Sequence, residues 1–367
     1  MSPAALRRQI GRLLIAGFNG PQIPVELKTI AREFGLGGVI LLGKNDNIVD
    51  PEQVAELAYD AARLGTDIPA WVSVDQEGGR VARLKAPFTK WPPMATLGRS
   101  GDVALAERFA RALAFELNAV GITLDYAPVL DVHTNPKNPI IGDRALAETA
   151  AEVARLGVAI IRGLQTAGIA ACGKHFPGHG DTSTDSHLEL PLIEHSPQRL
   201  REVEFPPFQA AVDAQVATIM TAHILVPALD EERPATLSKR IVTGILRGEL
   251  HYQGVILSDD LEMRAIAAQY EVPSAAVLAV EAGCDGVLIC SGDHLTQAAA
   301  LEALIHAIED QRLSISQVEN ALSRQQRAKE RFLTTRVASR PATAQALRQL
   351  LGRDEHLAIA DEMSRFV

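Results

Sequence analysis

Short apolar runs alternate with longer segments of helical periodicity along most of this chain. Eight runs stand out, at 12–18, 38–42, 70–74, 123–130, 169–172, 218–224, 254–257 and 286–290. Between most of them lie amphipathic patterns, at 50–63, 102–120, 147–167, 196–214, 274–282 and 294–309, with Pro273 placed to start the fifth. A parallel strand is covered by helices on both faces and therefore reads as a short unbroken apolar run. Eight such units over about 300 residues predict an α/β fold, a (β/α)8 TIM barrel rather than a doubly wound sheet. No Gly-x-Gly-x-x-Gly follows the first run, which weakens a dinucleotide fold further. From about residue 337 two more helical patterns follow, at 342–351 and 354–366, punctuated by Pro341 and Gly352. About 30 residues cannot bury a core of their own, so these helices are expected to pack on the barrel within one domain spanning 1–367.

Composition adds limits. The chain has 367 residues, 47% hydrophobic and 22% charged, enough for a large core. Aromatics are only 4%, so that core must rely on Ala, Leu, Ile and Val. The formal net charge of −9 comes from dispersed acids, without the basic footprint of a nucleic-acid partner. On such a protein an anionic substrate needs local cations. Cys172, Cys284 and Cys290 are an odd count without Cys-x-x-Cys spacing and read as small buried apolar residues. No run reaches the roughly 18 apolar residues of a membrane span, and the run near residue 14 is too short for a secretory leader. A cytoplasmic protein with no membrane partner is expected, and a monomer is favoured.

The polar residues change the picture most. Asp75 follows the third run, Asp125 and Asp131 punctuate the fourth, Lys174 and His175 follow the fifth, His223 lies near the end of the sixth, and Asp259 and Asp260 follow the seventh. All would gather at the C-terminal mouth of a barrel, where such folds place their chemistry. The stretch from Lys174 to His187 packs a lysine, three histidines and two acids into a loop that Pro177, Gly178 and Gly180 keep from being helical. Those residues also break the helix that a His175-x-x-x-His179 zinc site would need, so no metal and no cofactor is expected. In extended backbone Asp185 and His187 point the same way. The carboxylate could orient the ring and favour its protonated form, giving a proton donor near neutral pH, or the two could be a loop-stabilising ion pair. Asp259 at a strand end could be a nucleophile or a cap, and Asp260 reads as the N-cap of the following helix. Asp75 would accept hydrogen bonds from ligand hydroxyls. Glu77 and Arg80 read as a structural ion pair. Arg144 could hold an acetamido oxygen or a hydroxyl, or could be a surface arginine.

These blocks carry a resemblance. Lys174-His175-Phe176-Pro177-Gly178-His179-Gly180 followed by Asp185-Ser186-His187 resembles the signature of glycoside hydrolase family 3, and within it the β-N-acetylglucosaminidases of the peptidoglycan-recycling, NagZ type. The segments 75–81, 127–132, 141–144, 234–238 and 258–261 are similar to other blocks of that family, in family order. The resemblance runs from about Ile10 to the C-terminus.

It implies a TIM-barrel enzyme that removes non-reducing terminal GlcNAc with retention, without a cofactor or metal. Asp259 matches the family's nucleophile. His187, backed by Asp185, matches its general acid/base, and Asp75, Arg144, Lys174 and His175 match the residues that hold the sugar. His179 is expected to shape the loop. Arg144 and Lys174 would supply the cations an anionic muropeptide needs. The barrel is followed by too few residues for the second domain in which many β-glucosidases place their acid, which lowers that alternative. A GlcNAc phosphorylase of the same family, a non-catalytic sugar-binding barrel and a metal hydrolase are the other readings.

Overall fold

The computed structural model of the chain describes residues 3–65, 67–184, 186, 189–333 and 341–367. Each of the eight apolar runs overlaps a barrel strand: β1 (Leu14–Ala16), β2 (Gly38–Ile40), β3 (Trp71–Val74), β4 (Leu124–Asp125), β5 (Ala170–Phe176), β6 (Thr218–Thr221), β7 (Val255–Asp260) and β8 (Gly286–Ile289), with β5 and β7 running on past the fifth and seventh. Every strand pairs in parallel with its neighbours in sequence, and β1 pairs with β8, so the sheet closes. The fold is the expected (β/α)8 barrel. The fourth run pairs continuously only at Leu124 and Asp125, with one further bridge between Val129 and Lys174.

The core has two layers. Inside the barrel Ile15, Ile40, Tyr126, Cys172, Met220 and Leu257 belong to one buried cluster. A larger cluster fills the space between the sheet and its helices. All three cysteines are buried and free.

The helices predicted from periodicity are present, several with the capping chemistry that starts them. Asp50 caps Pro51–Ala62 by accepting from the Gln53 N–H, and Asp102 caps Val103–Ala119. The 196–214 pattern is one helical path whose middle, Leu200–Glu204, widens to π geometry. Helical segments that carry no expectation from the pattern include Pro3–Ile10, Val25–Phe34, Ala95–Ser100, Arg240–Glu249 and the 19-residue Ile315–Leu333. The last closes the N-terminal end of the barrel with Phe332 and Leu333, and its Gln325 accepts from the Trp71 indole N–H at 3.1 Å. At the C-terminus Ala344–Leu350 and Asp354–Ser364 pack on the barrel helices, the second chiefly on Val103–Ala119. No described helix is long and apolar enough to cross a membrane.

Candidate active site

Near its C-terminal end strand β5 brings Lys174 and His175 to the mouth, and each meets a buried carboxylate. Lys174 Nζ lies 2.6 Å from Glu77 Oε1 and 2.9 Å from Asp75 Oδ1. Arg144, from the helical turn Gly142–Arg144, forks onto the same Glu77, with Nε 2.9 Å from Oε2 and Nη2 2.8 Å from Oε1. Two cations and two carboxylates thus neutralise one another in a nearly dry site. Burial by itself would raise the Glu77 pKa, but Arg144 and Lys174 hold it far below the carboxylate range. Burial by itself would lower Lys174, but Asp75 and Glu77 keep it above its ordinary value.

This geometry corrects the expected Glu77–Arg80 pair. Gly78 and Gly79 both adopt positive φ, +105° and +57°, and the turn they make sends Arg80 away from Glu77. Arg80 instead lies 3.2 Å from Asp143 and donates to the carbonyls of Ile140 and Ile141. It also changes the part given to Arg144 and Lys174, whose charges are taken up internally and are not spare cations for an anionic ligand. Asp125 is buried behind this group rather than at the mouth. Its Oδ1 accepts from the Gln76 N–H at 2.9 Å, and burial pushes its carboxyl well above the usual range.

His175 is oriented by Asp131, which is fully buried. Asp131 Oδ2 lies 2.7 Å from His175 Nδ1, and Oδ1 accepts from the main-chain N–H of His175 and of His179. Burial would raise Asp131, but His175 and these hydrogen bonds bring it below its ordinary value. An ionised Asp131 only accepts, so Nδ1 of His175 carries a proton and Nε2 is left for a ligand. The Lys174–His175 peptide is cis.

The loop beyond β5 is held by its own polar groups. Asn138 Nδ2 donates to the carbonyls of His179 and Gly180, at 2.8 and 3.0 Å. His179 bridges Thr182 Oγ1, 2.7 Å from Nδ1, and Ser186 Oγ, 3.4 Å from Nε2. Burial lowers its pKa to about 4, so the ring is neutral and shapes the loop by hydrogen bonding. Gly180 passes so close to Val132 that a Cβ would sit 1.8 Å from its carbonyl oxygen. Asp185 and His187 lie outside the described residues. Ser186 between them lines the cavity, and its carbonyl accepts from the Ala265 N–H at 3.2 Å.

Asp259 closes the circle from β7. Its Oδ1 accepts from the Asp260 N–H at 2.8 Å. Burial opposes its ionisation, but His223, His175, that N–H and Lys174 outweigh it and hold the carboxyl below its ordinary value. Asp260 does not cap a helix. It is still part of β7, its side chain accepts from the N–H groups of Glu262 and Cys290, and the next helix, Arg264–Ala267, starts after Met263. Burial raises Asp260 to about 6. Asp75, Arg144, Lys174, His175, Ser186 and Asp259 line one cavity of about 780 Å³, within the range of small-molecule sites. Lys44, Arg83, Lys85 and Arg264 also line it. Among the described residues no cluster of three or more His, Cys, Asp or Glu could hold a metal ion.

Three residues of this site carry no role in the sequence reading: Glu77 as a clamp, Asp131 as the partner of His175, and Asn138 as the brace of the loop. Asp131 is expected at the mouth from its place in the fourth apolar run, though without a partner, and the only signal for Asn138 is its place just before the 141–144 segment.

An ionised carboxylate at the end of a barrel strand, facing a clamp of paired charges, defines a class: enzymes that act on a polar, hydroxyl-rich ligand at the mouth of a TIM barrel. Comparison narrows it. The sequence model described as the glycosyl hydrolase family 3 N terminal domain matches residues 5–328, and the chain belongs to that family of glycoside hydrolases. It is 32% identical over 366 residues to a β-hexosaminidase A of Pseudoalteromonas piscicida, covering 93% of this chain but only 60% of that protein. A β-hexosaminidase of Pseudomonas aeruginosa PAO1 is 38% identical over 292 residues, covering 79% of this chain and 86% of that one. The structure of a family 3 β-N-acetylglucosaminidase from Paenibacillus sp. superimposes with a TM-score of 0.93 at 40% identity, covering 98% of this chain and 68% of that one.

Proposed function

We propose that this chain is a retaining exo-β-N-acetylglucosaminidase that removes non-reducing terminal GlcNAc from peptidoglycan-derived muropeptides of the GlcNAc-anhydroMurNAc type. The observation that carries the reading is the single cavity in which the depressed carboxylate of Asp259 faces the Asp75, Lys174, Arg144 and His175 group. Asp259 attacks the anomeric carbon as the glycosidic bond breaks, and the leaving oxygen takes a proton from His187, oriented by Asp185. A water then attacks the glycosyl-Asp259 ester, gives its proton to His187 and releases the sugar with its configuration retained. Asp75, held by Lys174, accepts from sugar hydroxyls, while His175 Nε2 and the free face of Arg144 hold the rest of the sugar.

The aglycone reading rests on the rim. With Arg144 and Lys174 neutralised by Glu77 and Asp75, the cations left at the mouth are Lys44, Arg83, Lys85 and Arg264. Of these only Arg83 has an ion-pair partner among the described residues, Asp75 at 3.7 Å. Such a rim suits the lactyl and peptide carboxylates of a muropeptide on a protein of net charge −9. Three free buried thiols fit a reducing cytoplasm, the place of peptidoglycan recycling, and the whole chain reads as one domain acting without a metal or cofactor.

The test is turnover of paired aryl β-glycosides, GlcNAc against glucose, with and without phosphate. Strong preference for GlcNAc with no phosphate requirement supports hydrolysis. A strict need for phosphate moves the protein to a phosphorylase, which the cationic rim would also suit, and preference for glucose moves it to a β-glucosidase.

A further inference from the structure

His223 and Thr236 lie outside the cavity lining, yet both are buried, and they form a polar chain that ends beside Asp259. His223 stands two residues beyond β6. Its Nε2 is 2.9 Å from the main-chain oxygen of Asp260, and its Nδ1 is 2.8 Å from Thr236 Oγ1. Thr236 belongs to the 234–238 block, which the sugar-binding and catalytic roles leave unused. A carbonyl oxygen only accepts, so Nε2 of His223 carries a proton. Thr236 Oγ1 also lies 3.0 Å from the Ala222 carbonyl oxygen and 2.9 Å from Thr221 Oγ1. When its single proton goes to that carbonyl, it accepts from a protonated Nδ1 and the ring is an imidazolium. When its proton goes to Nδ1, the ring is neutral. Either way the ring is fixed at both nitrogens.

The other side of this end of β7 is pinned from β8. The Leu261 N–H donates to the Leu288 carbonyl at 3.0 Å, and the Cys290 N–H donates to Asp260 Oδ1 at 3.3 Å. The Asp260 N–H, on the peptide between these anchors and Asp259, holds Asp259 Oδ1. The strand end that carries Asp259 is thus suspended between its two neighbouring strands, and the β6 anchor is a side chain with a rigid ring.

We propose that His223 is a positioning residue for the nucleophile: clamped by Thr236, its ring holds the main chain at Asp260 and so directs the Asp259 carboxylate into the cavity. This rests on the reading of Asp259 as nucleophile. In its imidazolium form His223 also supplies the largest favourable charge interaction of the Asp259 carboxylate, ahead of His175 and Lys174, with Asp260 and Glu262 as the nearby acids. Removing the ring therefore both loosens the carboxylate and raises its pKa.

The experiment measures kcat, KM and the pH profile of kcat/KM on 4-nitrophenyl β-GlcNAc for His223→Phe, His223→Gln, Thr236→Val and Thr236→Ser. Misplacement of a reacting group by about 1 Å costs on the order of 100-fold, and that loss is expected in kcat of His223→Phe, with KM little changed and the acid limb moved to higher pH. His223→Gln keeps a donor for the Asp260 carbonyl and should recover most of kcat while the acid limb stays raised. Thr236→Val should lose about tenfold in kcat, a share of the same positional effect, and Thr236→Ser should restore it. Unchanged kcat and acid limb in His223→Phe overturns the proposal, as does equal behaviour of Thr236→Val and Thr236→Ser. Where His223→Phe does not fold, the Thr236 pair decides. Asp259→Asn in the same series separates the two readings: turnover by that variant defeats the nucleophile assignment itself, whereas its silence beside unaltered His223 and Thr236 variants defeats only the positioning role.

Discussion

Glu77 shows how much one buried carboxylate organises. It receives both Arg144 and Lys174, and its side chain is 1% exposed. Replacing it by glutamine keeps the shape and removes the charge, leaving two cations in a dry site with only Asp75 to answer them. Breaking a buried pair this way costs about 3 kcal/mol. We therefore expect Glu77→Gln to lower unfolding free energy by about that amount and to raise KM for a β-GlcNAc glycoside by at least about tenfold, the change that 1.4 kcal/mol of lost binding produces. Denaturant titration and steady-state kinetics check both, and parental values for either would remove Glu77 from its clamping role. The same residue marks a limit of sequence reading. Spacing of three suggested an ion pair with Arg80, because the sequence does not show where Gly78 and Gly79 turn the chain. Asp260 is a second case. Its position before a helix resembles a cap, but β7 runs on through it and the helix begins four residues later.

At the scale of elements, strands were legible and their seals were not. The eight apolar runs correspond one to one with strands because parallel strands are buried on both faces. The helix Ile315–Leu333 places Val318, Ala321, Leu322, Phe332 and Leu333 at helical spacing, but the face they share also buries Gln325 and Lys329, so the pattern alone does not say what that face covers. Its packing is decided by the barrel end that it closes. Lys329 Nζ donates to the Gly37 carbonyl at 2.6 Å, with the Trp71 ring 6.0 Å away. Burial, helped by Arg12, lowers its pKa to about 7. A lysine near 10.4 in the unfolded chain then binds more protons unfolded than folded between about pH 7 and 10. Stability from this group therefore rises with pH across that window, with a slope of at most about 1.4 kcal/mol per pH unit, and is lost as pH falls toward 7. Denaturation of the parent and of Lys329→Met at pH 6.5 and 9 tests this. The parent should gain relative to Met at the higher pH, and an identical pH dependence in the two would contradict the account.

For the whole molecule, the fold followed from periodicity alone, and the family followed from the blocks at 75–81, 174–187 and 258–261. What could not be read was which charges remain available once the chain closes. Lys174 and Arg144 looked like spare cations because their partners, Asp75 and Glu77, lie about 70 to 100 positions away in sequence. Closing the barrel brings the ends of β3 and β5 together across β4 and cancels those charges, which leaves the rim cations to serve the anionic aglycone proposed above. The central claim is that Asp259 bonds to the sugar. It is tested most directly by incubating the enzyme with an activated 5-fluoro derivative of β-GlcNAc and mapping the modified peptide by mass spectrometry. The account predicts one added glycosyl group, on the peptide containing Asp259. Rapid turnover-dependent inactivation with the group on any other residue would contradict it.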